Sequence, residues 1–190
     1  MLLREEKIET VVVPTQEVVL SDLTVVNVSS SLTRWLIEQG RVRDAARCLG
    51  RAYTVRGEVV KGQQRGKGLG FPTANVAIRQ LSPAEGVYAG RVQVDGQNYK
   101  AAISVGNNPT FAGKVKTVEA FLLDFAPPDD LYGQVIDVCF ERWIREVMTF
   151  SGAGPLVEQL KRDVAVVRKT LDTVERNEDI AGMLKAKNSQ

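Results

Sequence analysis

The sequence predicts a mainly β protein: a six-stranded, antiparallel, Greek-key-like barrel with a C-terminal α-helix, preceded by a short α/β segment. Three observations carry that expectation. From Tyr53 onward, six short runs rich in β-branched and aromatic residues follow one another, separated by glycine, proline and aspartate. No stretch between those runs has the length or the 3.6-residue period of a crossover helix, so neighbouring strands should pair antiparallel and close on themselves. Near the C-terminus the period changes: after Pro155, Leu156, Leu160, Val164, Val167 and Leu171 fall on one helical face, which should pack on the barrel.

In chain order, the apolar runs Thr10-Val11-Val12-Val13 and Leu23-Thr24-Val25-Val26, broken at Pro14 and Ser21-Asp22, predict two short strands. Ser29, Ser30 and Ser31 offer N-caps to a helix through Leu32, Trp35, Leu36 and Ile37 that stops at Gly40. A second helix covers Val42 to Leu49 and stops at Gly50, which makes a helical hairpin. The barrel strands are expected at Tyr53 to Val60, Thr73 to Ile78, Gly86 to Val94, Gln97 to Val105, Thr117 to Asp124 and Gln134 to Trp143. Asp95-Gly96 is a two-residue hairpin signal. Three parts are therefore expected: residues 1–50, a main domain over 51–172, and a polar tail over 173–190.

Composition bounds the chemistry. A chain of 190 residues, 44% hydrophobic and 25% charged, can build one good core and is not a disordered tract. A net charge of +2, with acidic and basic residues interspersed, gives no support to a nucleic-acid surface. No run approaches a membrane span, Met1-Leu2-Leu3-Arg4-Glu5-Glu6 is too charged for a signal peptide, and Cys48 and Cys139 match no metal or redox spacing. A cytoplasmic monomer with reduced thiols is the expectation. The chain has no histidine, which removes Ser-His and Cys-His nucleophiles and histidine-bound zinc together. General base work then falls to a carboxylate, or to an unusual lysine or tyrosine.

The densest motif is Gly62-Gln63-Gln64-Arg65-Gly66-Lys67-Gly68-Leu69-Gly70, running directly into Phe71-Pro72-Thr73-Ala74-Asn75. Its glycines allow tight turns and close approach of backbone to a ligand, and Arg65 and Lys67 bring positive charge to the same loop, as an anionic ligand such as phosphate requires. Pro72 stiffens the chain, and continued extension puts Thr73 and Asn75 on one face as paired neutral oxygens suited to a hard cation. It is neither a Walker loop, since Gly62 to Gly66 is one residue short and Lys67 is followed by Gly68, nor a dinucleotide fingerprint, since the spacing reads G-x-G-x-G. A plain mobile hairpin loop would explain the glycines but not the Pro-Thr-Ala-Asn that follows.

Glu119, in Thr117-Val118-Glu119-Ala120-Phe121-Leu122-Leu123-Asp124-Phe125, is the candidate base. Strand alternation puts it with Phe121, Leu123 and Phe125, and a carboxylate on an apolar face is either paired, here with Lys114, Lys116 or an arginine, or placed for chemistry. Gly106 to Phe111 and Pro127-Pro128-Asp129-Asp130 read as loops, Trp35 and Trp143 as core, and Arg145 as a solvated arginine able to reach a phosphate or a ring. A phosphate-cradling backbone, a hard-cation pair and a carboxylate base together describe phosphoryl transfer from a nucleotide to a hydroxyl.

Five blocks carry a further likeness: Gly62 to Asn75, Gly86-Val87-Tyr88-Ala89-Gly90, Val105 to Phe111, Val118-Glu119 through Asp124-Phe125, and Leu131-Tyr132-Gly133. In order and spacing, over roughly residues 53–172, they resemble riboflavin kinase in the form found at the C-terminal end of bacterial bifunctional FAD synthetases. The resemblance implies ATP and Mg²⁺ as cofactors, riboflavin as acceptor and FMN as product. It implies Gly62, Arg65, Gly66, Lys67, Gly68, Gly70, Pro72 and Thr73 around the nucleotide, Thr73 and Asn75 as metal ligands, Glu119 as base, and Asn75 and Arg145 toward the substrate. Val28-Ser29-Ser30-Ser31-Leu32-Thr33-Arg34 and Leu49-Gly50-Arg51 resemble the end of the adenylyltransferase domain of those proteins. The His-x-x-His type signature of that domain has no counterpart, so no FMN adenylyltransferase activity is expected. A flavin- or nucleotide-binding module without turnover is the other reading; it would not require Glu119.

Overall fold

A computed structural model describes residues 11–62, 66–107, 116–125 and 131–187, with side chains as far as residue 176. The chain opens with a two-stranded ribbon, β1 (Glu17–Val19) and β2 (Val25–Asn27), paired antiparallel with Val18 opposite Val26. The first strand thus lies beyond the expected Thr10 to Val13. Val11, Val12 and Val13 are exposed coil: among the described residues they have no partner strand, and strand composition alone leaves the backbone to water. Helices α1 (Ser30–Glu38) and α2 (Val42–Leu49) follow as expected. The Ser29 hydroxyl caps the first by accepting from the Leu32 amide at 3.2 Å. Gly40 makes the turn between them with φ +73°, and an added Cβ would meet the Trp143 ring at 2.8 Å.

Six strands then form a closed barrel: β3 (Tyr53–Val60), β4 (Ala74–Ile78), β5 (Gly86–Val94), β6 (Gln97–Asn107), β7 (Lys116–Leu122) and β8 (Val135–Arg145). Around the wall the order is β3-β4-β7-β6-β5-β8, and every neighbouring pair is antiparallel. The order differs from the sequence at two places, so the β4–β5 and β7–β8 connections cross between non-neighbouring strands, as in a Greek key. Asp95 and Gly96, both with positive φ, close the β5–β6 hairpin.

Alternation sorts each strand into an inner and an outer face. Val55, Val59, Val76, Val92, Ile103, Val105, Val118, Ile136, Val138 and Phe140 fill the interior, where the Tyr88 and Phe140 rings meet edge to face at 5.2 Å. Val42 of α2 joins the same cluster, so the N-terminal segment plugs the barrel end at which β3 begins and β5 starts. Trp35 and Trp143, expected in the core, are 49% and 39% exposed.

The C-terminal helix α3 (Ala153–Lys187) lies on the outer wall, with Val167 and Leu171 fully buried against Ala89 and Leu123. It continues through the polar stretch after residue 173 to Lys187. Ion pairs ring its apolar seam: Lys100 with Asp172 and Glu175, Arg168 with Asp124, and Arg91 with Glu141 and Glu175.

Candidate functional site

Extended backbone through Pro72 delivers Thr73 and Asn75 to the outer face of the barrel, while Ala74 and Val76 between and beyond them point inward and are buried. On β7, Val118, Ala120 and Leu122 are the inward residues and Glu119 the outward one. Asn75 and Glu119 are cross-strand partners, and the Thr73 hydroxyl donates to Glu119 Oε2 at 3.3 Å. Three residues expected at the site thus meet on one patch of wall, half-buried. Among the described residues Glu119 is held by a hydroxyl and not by a cation: Lys116, a partner considered for it, donates instead to the Pro83 carbonyl at 3.1 Å, and Lys114 lies outside the described residues.

The glycine-rich loop descends on the same patch. An added Cβ at Gly62 would lie 2.3–2.5 Å from the Asn75 amide atoms, so glycine here lets the loop backbone rest directly on Asn75. Gly66 is required for a similar reason: a Cβ would meet the Phe71 carbonyl oxygen at 2.1 Å, and the Phe71 amide donates to the Gly66 carbonyl at 2.9 Å, folding Lys67–Leu69 into a single 3₁₀ turn. Only Gly70 of the described loop glycines takes a left-handed conformation, φ +82°. Gly68 needs glycine for neither reason; the space beside it is open. Arg65 lies outside the described residues, as do the loop from residue 108 to 111 and Asp129-Asp130.

The apolar neighbours of Glu119 are not all those that simple alternation predicts. Phe121 is on its face and packs against Phe71 at 5.3 Å between ring centroids. The strand ends at Leu122, and Asp124 takes a positive φ that breaks the alternation. Leu123 keeps the outward face with Phe121 and packs under α3, but Phe125 turns to the barrel's inner cluster, edge to face with Tyr99.

Arg145 is not brought to this patch. It ends β8, which lies three strands from β7 in either direction around the barrel. Its guanidinium forms a two-pronged pair with Asp163 of α3, Nε to Oδ1 at 2.9 Å and Nη2 to Oδ2 at 2.6 Å, and Gln159 adds a third donor to that buried carboxylate. Two irregularities in the pairing of β8 with β5 turn Ile144 and Arg145 toward the helix side. A lone arginine in a polar stretch carries no signal of such a pair; the buried Asp163 that neutralises it is 18 residues away on another element.

Thr73, Asn75 and Glu119 supply a hydroxyl, an amide oxygen and a carboxylate, a hard oxygen set suited to a magnesium-like cation. A hydroxyl has one proton and two lone pairs, so Thr73 can donate to Glu119 and still offer oxygen to a metal. Among the described residues no group of three His, Cys, Asp or Glu side chains could hold a metal, so a cation here would complete its shell with ligand phosphates and water.

Fold and site together define an antiparallel-barrel domain with a polar patch on its outer wall, bordered by a glycine-rich loop. Within that class the chain belongs to the riboflavin kinase family: the flavokinase family model, described as riboflavin kinase, matches residues 49–171. It is 34% identical over 139 residues to the bifunctional riboflavin kinase/FMN adenylyltransferase of Listeria monocytogenes, covering 72% of this chain and 44% of that one. The protein of the same description from Escherichia coli K12 is 37% identical over 148 residues, with 76% and 46% covered. The chain thus spans less than half the length of these curated relatives. The crystal structure of a macrolide-efflux protein from Streptococcus pneumoniae is similar at TM-score 0.70 and 38% identity, covering 75% of this chain and 47% of that one. No helix among the described residues is long and apolar enough to cross a membrane.

Proposed function

We propose that the chain transfers the γ-phosphoryl group of ATP to the ribityl 5′-hydroxyl of riboflavin, giving FMN and ADP. The observation that carries this reading is the Thr73–Glu119 hydrogen bond beside Asn75, at the foot of a loop whose Gly62 and Gly66 are fixed by close packing. Family membership supports the choice of substrates. Glu119 takes the proton of the 5′-hydroxyl as its oxygen bonds the γ-phosphorus; the bond from that phosphorus to the β–γ bridging oxygen breaks, and ADP leaves with the electron pair. Backbone amides of residues 66–70, with Lys67 and Arg65, hold the phosphates, and the open space beside Gly68 admits them closely. Mg²⁺, held by Thr73 and Asn75, would neutralise phosphate charge. Thr73 at the same time keeps the carboxylate of Glu119 oriented.

The kinase domain is taken as 51–172, with the preceding segment as a cap that resembles the end of an adenylyltransferase domain. No adenylyl transfer is proposed for these residues, and the working form is taken as a cytoplasmic monomer. The test is chromatographic: purified chain, riboflavin, ATP and Mg²⁺ should yield FMN stoichiometric with ADP. Tight flavin binding with no FMN would overturn the assignment.

A further inference from the structure

We propose that Ser104 is a positioning residue for Glu119, an inference that rests on the kinase reading for its consequence but not for its geometry. The outer face of the β6–β7 pair reads, from one barrel end to the other, Gly106 opposite Thr117, Ser104 opposite Glu119, and Ala102 opposite Phe121. Glu119 therefore sits between two polar cross-strand neighbours, Asn75 on β4 and Ser104 on β6. On the β4 side its Oε2 already accepts from Thr73. The hydroxyl of Thr117 is occupied by the Gly106 carbonyl at 3.3 Å, and the row beyond is apolar, so Ser104 supplies the hydroxyl beside the carboxylate on the β6 side. That hydroxyl makes no hydrogen bond among the described residues, and Ser104 is half-buried.

Directly opposed residues in an antiparallel pair have Cβ atoms about 4.5–5.5 Å apart, which a serine hydroxyl and a glutamate carboxylate span by rotation about their side-chain bonds. A carboxylate accepts at both oxygens, so Thr73 and Ser104 can clamp it from two sides without competing. Thr73 is also the residue assigned to the metal. Turned about its side-chain bond onto the second carboxylate oxygen, the Ser104 hydroxyl would hold Glu119 from the strand opposite to the nucleotide loop, fixing its aim at the acceptor hydroxyl while Thr73 serves both the metal and the base. Nothing in the packing of the barrel interior calls for a hydroxyl here, because residue 104 faces outward.

The experiment uses the full chain and compares Ser104→Ala with Ser104→Thr, which restores the hydroxyl on a side chain suited to a strand. Two readouts separate this inference from the kinase assignment. In ligand-free protein, the side-chain carboxyl ¹³C resonance of Glu119, identified by its loss in Glu119→Gln, should move in Ser104→Ala and return in Ser104→Thr. In steady-state assays, Ser104→Ala should lower kcat roughly three- to tenfold with the KM values for riboflavin and ATP kept, and Ser104→Thr should recover most of the loss, the size expected of one hydrogen bond to a charged group. A wild-type chain that forms no FMN but shows the resonance shift would overturn the kinase reading and leave the clamp in place. An unmoved Glu119 resonance in Ser104→Ala, or wild-type kcat in that variant, would overturn the clamp.

Discussion

Two outer walls of the same barrel have been put to opposite uses. Beneath α3, the outward residues of β5, β6 and β8 are sealed: Ala89 is fully buried with Val167 and Leu171, and the charges around them, Arg91, Lys100 and Arg145, all face carboxylates. On the β4–β7–β6 wall, Thr73, Asn75, Glu119 and Ser104 form a polar row that among the described residues no helix covers, bordered by the glycine-rich loop and the Phe71–Phe121 contact. Both walls obey one alternation, and each leaves its outward side chains to whatever packs on them. The sealed wall pairs its charges with one another, which serves stability. The open wall leaves hydroxyl, amide and carboxylate oxygens half-buried and accessible, as the proposed ligand site requires.

If that division is right, substitutions on the two walls should separate activity from stability. The largest effect belongs to Glu119→Gln: kcat should fall about 10²- to 10⁴-fold, or about 3–5 kcal/mol of barrier, with a near-normal melting temperature and riboflavin binding by titration kept. Near-normal turnover would return Glu119 to a structural role and erase the contrast. On the sealed wall, Asp163→Asn should do the reverse. Removing one member of a buried pair costs about 3–5 kcal/mol, lowered here to about 2–4 because Arg145 keeps some solvent. Urea unfolding would measure it. A change in the KM for riboflavin without loss of stability would show instead that Arg145 acts on substrate, and would move it from the sealed wall to the site.

A smaller and sharper contrast lies within the glycine loop. Gly62→Ala drives a methyl group into the Asn75 amide, and the displaced amide should cost roughly tenfold or more in turnover, equivalent to the 1–3 kcal/mol of a local overpacking. Gly68→Ala meets nothing, so stability should stay within about 0.5 kcal/mol. Any loss of turnover in that variant, read as an increased KM for ATP, then reports the ligand's approach rather than the fold. Wild-type kinetics in both variants would count against the loop as a phosphate cradle.

The smallest effect is the pH response of the helix seam. The hydrogen bond from Arg168 holds Asp124 below the ordinary carboxylate range, and the hydrogen bond from Lys100 does the same for Asp172 and, with Arg91, for Glu175. A carboxyl group whose folded-state pKa is depressed binds protons more weakly in the native state than in the unfolded one. Its contribution is therefore fully present above the unfolded value near pH 4 and is lost as pH falls through the lower folded value. These groups are exposed, so the effect is modest: melting temperature should be level from neutral pH to about pH 5 and decline below pH 4, more steeply at low salt. Lys100→Met should flatten that decline while leaving kcat unchanged.

Much of this architecture is legible in the chain. Ser29 and Gly40 mark the ends of α1, Asp95-Gly96 marks the β5–β6 hairpin, and the period-2 runs mark all six barrel strands, because each signal is local and acts through the backbone of a few residues. Local signals failed where pairing or packing decided. Val11–Val13 have strand composition but no partner strand among the described residues, and the strand forms instead at Glu17–Val19, opposite Val25–Asn27. Phe125 has the right parity to join Glu119, yet the left-handed Asp124 sends it to the interior. Trp35 and Trp143 have core composition and remain substantially exposed.

By itself, the sequence determined the β-rich class, the glycine-rich loop with its Pro-Thr-Ala-Asn tail, the want of histidine that leaves base chemistry to a carboxylate, and the family likeness. Those properties are composition and short-range order, and they survive without knowledge of where strands meet. Only the tertiary structure decided that Thr73 and Glu119, 46 residues apart, share a hydrogen bond, that Asn75 and Ser104 flank the same carboxylate, and that Arg145 faces Asp163 under a helix instead. The reason is the order of strands around the closed wall: β4 beside β7 and β8 opposite them is a fact of long-range pairing, and no residue in any one strand records it.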